Sequence, residues 1–192
     1  MNTIDLSAAT FAERERLVSI LEDLTPEQWA SPSLCEGWRV REVVAHITTA
    51  YRMTTRQFLG GMLRHGFNFN RYADHAARSD TAQLSDAELL GILRDNVRHP
   101  WQPRGGGQAG ALSHDVIHGL DITEPLGLSA APADRIALVF ADSEPRNWKY
   151  FGVDLTGVRL VATDTDVAVG DGEPVHLPAK DILLRLTGRR PL

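Results

Sequence analysis

His114 and His118 stand four residues apart in a stretch that also carries Leu112, Val116, Ile117 and Leu120. That apolar spacing predicts a helix, so the two imidazoles share one face and can chelate one metal ion. The same apolar content makes it a core helix, in which an imidazole needs a partner. A lone His-x-x-x-His is weak to moderate evidence, because a buried histidine is more often a hydrogen-bonded core residue than a ligand. His46 is the candidate third ligand: it lies beside the apolar stripe Val40, Val43, Val44 and Ile47 of another predicted helix, and helical bundles build metal sites from facing helices. Three histidines with an open position suit a catalytic divalent metal, zinc first, with nickel or iron fitting the same ligands. Asp115 and Asp121 flank the pair; a carboxylate often holds the far ring nitrogen of a ligand, and surface charge or capping explains them equally well. Glu42, one turn before His46, could orient it or act as a base, with a solvated helix face as the safer expectation. His65, His75, His99 and His176 sit in polar, loop-flanking or strand-like contexts and read as surface or turn residues.

The elements that must position these residues are mainly helical. Leu6 to Leu24 has apolar residues at spacings that suit one helix face. Thr25-Pro26-Glu27-Gln28 is a capping box with proline at the first helical position, opening a short helix that ends before Ser31-Pro32-Ser33, with Trp29 packing under it. The helix that starts after Gly37 is expected to continue toward Phe58 and Leu63, until Gly66-Phe67-Asn68-Phe69-Asn70 bends the chain. Ser85-Asp86-Ala87-Glu88 caps a third long helix running to about Val97, which Pro100 and Pro103 close off. Gly105-Gly106-Gly107 is a flexible connection; with no Lys-Ser/Thr after it, it is not a phosphate loop. The His114 helix begins near Gln108, and Pro132-Ala133-Asp134 opens a fifth helical stretch. From Leu155 the pattern changes to strands at 158–163 and 167–169, a short third strand at 174–176 and a final helix at 179–186. The expected architecture is a helical bundle over 1–152 with a small α+β appendage, hairpin plus helix, over 153–192 packed on it.

With 192 residues, one core should dominate. A formal net charge of −5 and scattered basic residues argue against a nucleic-acid partner. No apolar run is long enough for a membrane span. The start of the chain lacks a secretory pattern and Cys35 is the single cysteine, so no internal disulfide forms and the cytoplasm is the expected location.

Several landmarks resemble one family: Leu34-Cys35-Glu36-Gly37-Trp38-x-Val40-x-x-Val43-x-Ala45-His46, a helix ending His118-x-x-Asp121-Ile122, Thr163-Asp164-x-Asp166-x-x-x-Gly170-Asp171-Gly172, and Leu186-Thr187-Gly188-Arg189. They span nearly the whole chain and resemble the mycothiol-dependent maleylpyruvate isomerases, within the DinB-like group of metal-binding four-helix bundles. The resemblance implies a DinB-like bundle with three ligands to a divalent metal, usually zinc, and a low-molecular-weight thiol such as mycothiol bound as a metal thiolate that attacks a small electrophile. His46 and His118 match the family's histidine positions. His114 falls where the isomerase branch often has glutamate, and a neutral ligand there leaves the metal one unit more positive, so that it holds a thiolate or hydroxide more strongly. The resemblance also implies a C-terminal arginine that meets an acidic substrate, for which Arg189 is the candidate, with Arg190 or Arg185 as substitutes. Trp38 fits a family tryptophan and reads first as a helix-start anchor. Cys35 reads as structural.

Three functions follow as expectations. The first is a metal-dependent thiol transferase or isomerase of the mycothiol type, whose partners are a small substrate and the thiol. The second is a hydrolase activating water, with Glu42 or an aspartate as proton acceptor. The third is a non-catalytic metal-stabilised bundle that binds a small ligand or a partner. Tyr51, Phe67, Phe69 and Trp101 are candidate pocket residues, and both a monomer and a homodimer stay open.

Overall fold

The computed structural model describes residues 5–141 and 151–192. Among them the chain is mainly helical, with a small three-stranded sheet and a closing helix, as the residue pattern predicts. The elements are α1 (Leu6–Glu22), α2 (Pro26–Trp29), α3 (Val40–Arg52), α4 (Thr55–Arg64), α5 (Phe69–Gln83), α6 (Asp86–Asp95), α7 (Gly107–Thr123), α8 (Ala133–Ala141), β1 (Val158–Ala162), β2 (Ala168–Gly170), β3 (Glu173–Leu177) and α9 (Ala179–Leu186). No helix among the described residues is long and apolar enough to cross a membrane. The chain divides into two compact units, Arg14–Trp101 and Met1–Glu13 with Gln102–Leu192.

In the unit Arg14–Trp101, α3 packs against α5 and α6. Its apolar stripe is fully enclosed: Val40, Val43, Val44 and Ala45 are buried, as are Ala77 of α5 and Leu89 and Leu93 of α6. Polar ties reinforce the α3–α5 contact, since Asp80 accepts from Thr49 Oγ1 at 2.7 Å and from Arg52 Nη2 at 2.6 Å.

Two expectations change in this unit. The α3 pattern does not run on to Leu63, because Met53 is extended (ψ 124°) and Thr54 and Gln57 form a capping box that starts α4 separately. The stretch after the Gly66–Asn70 bend is itself a helix, α5, whose buried residues are only Tyr72, Ala73 and Ala77, too thin a stripe to read as a period. Gly61 makes the α4–α5 approach possible, as a Cβ there would lie 2.2 Å from the Tyr72 ring.

In the other unit, α9 packs on α7, α8 and β1. The sheet order is β2-β1-β3, with β1 antiparallel to β2 and parallel to β3. A parallel neighbour reached in so few residues requires the chain to pass closely around the start of β1. Gly170 and Gly172 provide that passage: a Cβ on Gly170 would meet the Val158 carbonyl oxygen at 2.2 Å, and one on Gly172 the Gly157 carbonyl carbon at 1.8 Å. Beyond β1, Asp164 Oδ1 accepts the Ala179 N–H at 2.8 Å and so caps α9 from fifteen residues away.

Candidate functional site

α7 is enclosed on most of its circumference, with Leu112, Val116, Leu120 and Ile122 fully buried, and it carries both members of the histidine pair. The i, i+4 spacing brings the His114 and His118 rings to a centroid separation of 4.7 Å, edge to face at 77°. Their side chains are 17% and 14% exposed. Each ring is held by an aspartate of the same helix: His114 Nδ1 lies 2.8 Å from Asp115 Oδ1, and His118 Nδ1 lies 2.9 Å from Asp121 Oδ2. Both aspartates are buried, which removes surface charge as their explanation.

Asp121 is in turn gripped by Arg189, whose Nε–H donates to Oδ1 at 2.8 Å and whose Nη2–H donates to Oδ2 at 2.9 Å. Arg189 Nη1–H donates to the Thr187 carbonyl at 2.9 Å. Burial pushes the Asp121 carboxyl up, but the donors on Arg189 and His118 outweigh it and hold it far below the usual carboxylate range. An ionised carboxylate only accepts, so His118 Nδ1 is the donor and that tautomer carries its lone pair on Nε2. Burial holds His118 below the ordinary histidine range, against the raising effect of Asp121, so the ring is neutral at neutral pH. The chemistry this allows is ligation or proton acceptance at Nε2.

His46 lies on α3, in the unit Arg14–Trp101, half-buried beside Trp38 with ring centroids 5.3 Å apart. Trp38 is anchored through Nε1–H to Asp74 Oδ1 at 2.8 Å, which makes it a tie between the start of α3 and α5. Glu42 is not on a solvated face: it is 2% exposed and bound by donors from Arg39 and Thr81. Burial pushes its carboxyl up, and the Arg39 and Thr81 hydrogen bonds bring it below the usual range. Cys35, the single cysteine, is half-buried and forms no disulfide.

The remaining candidates are dispersed. Arg190 pairs with Asp181 and with Glu124, and Arg185 donates to the Pro191 carbonyl. Phe67 and Phe69 are exposed at the α4–α5 corner, where Phe67 has φ 59°. Tyr51 and Trp101 gather instead around His99, whose ring lies 5.2 Å from Tyr51 and whose Nδ1 accepts the Trp101 N–H at 3.1 Å.

Arg14, which no motif singles out, is a fully buried guanidinium 5.1 Å from the centre of the Tyr51 ring that donates to the carbonyls of Val97 and His99. A charged residue three positions before Leu17 and seven before Leu21, on the apolar side of α1, was the signal that could have found it.

The family model described as "Mycothiol maleylpyruvate isomerase N-terminal domain" matches residues 10–105, half of the chain. No curated protein and no solved structure matches it.

Proposed function

The chain belongs to the mycothiol maleylpyruvate isomerase N-terminal domain family, and from that membership we propose that it is a metal-dependent thiol transferase or isomerase acting on a small electrophile. The thiol is mycothiol or one of its kind. His114, His118 and, from α3, His46 would hold the ion, with zinc ahead of nickel and iron for an all-imidazole set. When bound, such an ion supplies a Lewis acid that keeps a thiol deprotonated at neutral pH.

The observation that carries this reading is the pair of Nδ1–carboxylate hydrogen bonds on α7. A histidine kept neutral, in one tautomer, with its ring braced by an aspartate is the form in which imidazole ligates. His118 meets that description in full, and His114 shares its geometry. Asp121, held ionised by Arg189, also places negative charge one hydrogen bond behind His118, which offsets the cation that neutral donors leave uncompensated. The hydrolytic alternative asks for a carboxylate base near His46. Glu42 has the spacing, and it is committed to Arg39 and Thr81.

In the reaction proposed, the thiol loses its proton to solvent and its sulfur bonds the electrophilic carbon. In an aryl halide the carbon–halogen bond breaks and halide leaves. In an activated alkene the C=C π pair moves onto the conjugated carbonyl, the new single bond rotates, and the pair returns to expel the thiolate. Elemental analysis of protein purified without chelator should give one divalent ion per chain. Isomerisation of an activated cis-alkene such as maleylpyruvate, or conjugation of an aryl halide, should require added thiol and should vanish, together with the metal, in His118→Ala. Turnover at the same rate without thiol would refute the proposal.

A further inference from the structure

Arg189 reaches α7 from the turn after α9, and its guanidinium meets Asp121, sixty-eight positions earlier in the chain. The fork is used in full on that carboxylate: Nε–H to Oδ1 at 2.8 Å and Nη2–H to Oδ2 at 2.9 Å. This Nε/Nη2 edge is one of the two a guanidinium can offer a carboxylate in a bidentate pair. The arginine is fixed at its other side too, through Nη1–H to the Thr187 carbonyl at 2.9 Å, where Gly188 turns the chain with φ 72°. Asp121 Oδ2 therefore receives two donors at once, Arg189 Nη2–H and His118 Nδ1–H, both at 2.9 Å.

A carboxylate gripped along one edge by a planar fork cannot rotate about its terminal torsion, and the oxygen facing the imidazole stays where it is. A carboxylate held by the imidazole alone has no such restraint.

We propose that Arg189 is a positioning residue: acting through Asp121, it locks His118 in the Nδ1–H tautomer and in one ring orientation, so that Nε2 is preset as a metal ligand. This rests on the metal-centre reading of His118 given above. It also moves Arg189 away from recognising an acidic substrate. An electrophile without a carboxylate is then as good a substrate class as one with it.

The test uses the full chain, first free of metal and then titrated with zinc alone. Long-range proton–nitrogen NMR correlations of histidine-labelled protein, recorded well above the ordinary histidine range, separate the two neutral tautomers. His118 should be the Nδ1–H form in the parent protein and a mixture in Arg189→Met and Asp121→Asn. Zinc affinity, read by chelator competition, should fall about 10- to 100-fold in Arg189→Met. Arg189→Lys, which keeps a charged donor but not the fork, should fall between. An unchanged tautomer and zinc affinity in Arg189→Met, with only a lower melting temperature, would overturn the proposal in favour of a structural clamp. A loss confined to KM for carboxylate-bearing substrates would overturn it in favour of a receptor. If the parent protein binds no zinc, the metal-centre reading fails by itself, and the tautomer measurement on the metal-free chain still decides the role of Arg189. If Arg189→Met does not fold, Arg189→Lys carries both readouts.

Discussion

Glu42→Gln separates a structural carboxylate from a catalytic one. In the folded chain Glu42 Oε2 accepts the Arg39 backbone N–H at 2.9 Å and Arg39 Nε–H at 3.0 Å, while Oε1 accepts Arg39 Nη2–H at 2.6 Å and the Thr81 hydroxyl at 3.1 Å. Glutamine keeps one oxygen for the backbone cap but turns an amide toward the guanidinium. The change therefore loses at least one charge-assisted bond of roughly 1.5–3 kcal/mol. Arg39 is 48% exposed, so solvent screening discounts its side of the pair and sets the expected cost at about 2 kcal/mol. For a chain of this size that is a melting temperature lower by roughly 4–8 °C. The sign of the pH dependence follows from the lowered carboxyl. The unfolded chain binds the proton more readily, so the contribution is complete above the unfolded value of about 4.3 and is lost as pH falls through the folded value below it. Urea melts of both proteins should differ by a constant amount from neutrality down to that point and converge at lower pH. Zinc binding should be the same in both. A cost below about 0.5 kcal/mol, or a gap that persists unchanged into strong acid, would show that the Glu42 carboxylate does not stabilise the fold through Arg39. A full loss of thiol-independent turnover in Glu42→Gln would instead make it a base.

Gly172→Ala should cost about 3 kcal/mol or more, because the new methyl group meets backbone that cannot give way, 1.8 Å from the Gly157 carbonyl carbon. Denaturant melts check it, and a variant as stable as the parent would show that β3 does not pass so close to β1. Zinc at a hundredfold over its dissociation constant should stabilise the metal-free chain by about 2.7 kcal/mol. The rise in melting temperature should be absent from His114→Ala; equal rises in both proteins would remove His114 from the ligand set.

Much of this protein was decided within short stretches of chain. The His114–His118 pair follows from helical geometry over one turn, and the capping boxes at Thr25 and Ser85 follow from contacts over three residues, so local spacing is enough to find them. The strands and closing helix of the appendage announce themselves by a change of period in the same way, at 158–162, 168–170, 173–177 and 179–186. Helix α5 was illegible because two alanines and a tyrosine bury too little to mark a face. The parallel pairing of β3 with β1 was illegible because strand patterns record alternation and not the partner.

A buried charge has the same letter as a solvated one, so nothing near Glu42 in sequence distinguishes a hydrogen-bonded cap from an exposed helix face. The same holds for Arg189. The family resemblance offered it as a receptor for an acidic substrate, and only the fold brings it against Asp121, because ion pairs between distant segments depend on how α9 packs on α7 and not on any spacing along the chain. Local spacing named the side chains able to do chemistry; tertiary packing selected which of them were already engaged in holding others in place.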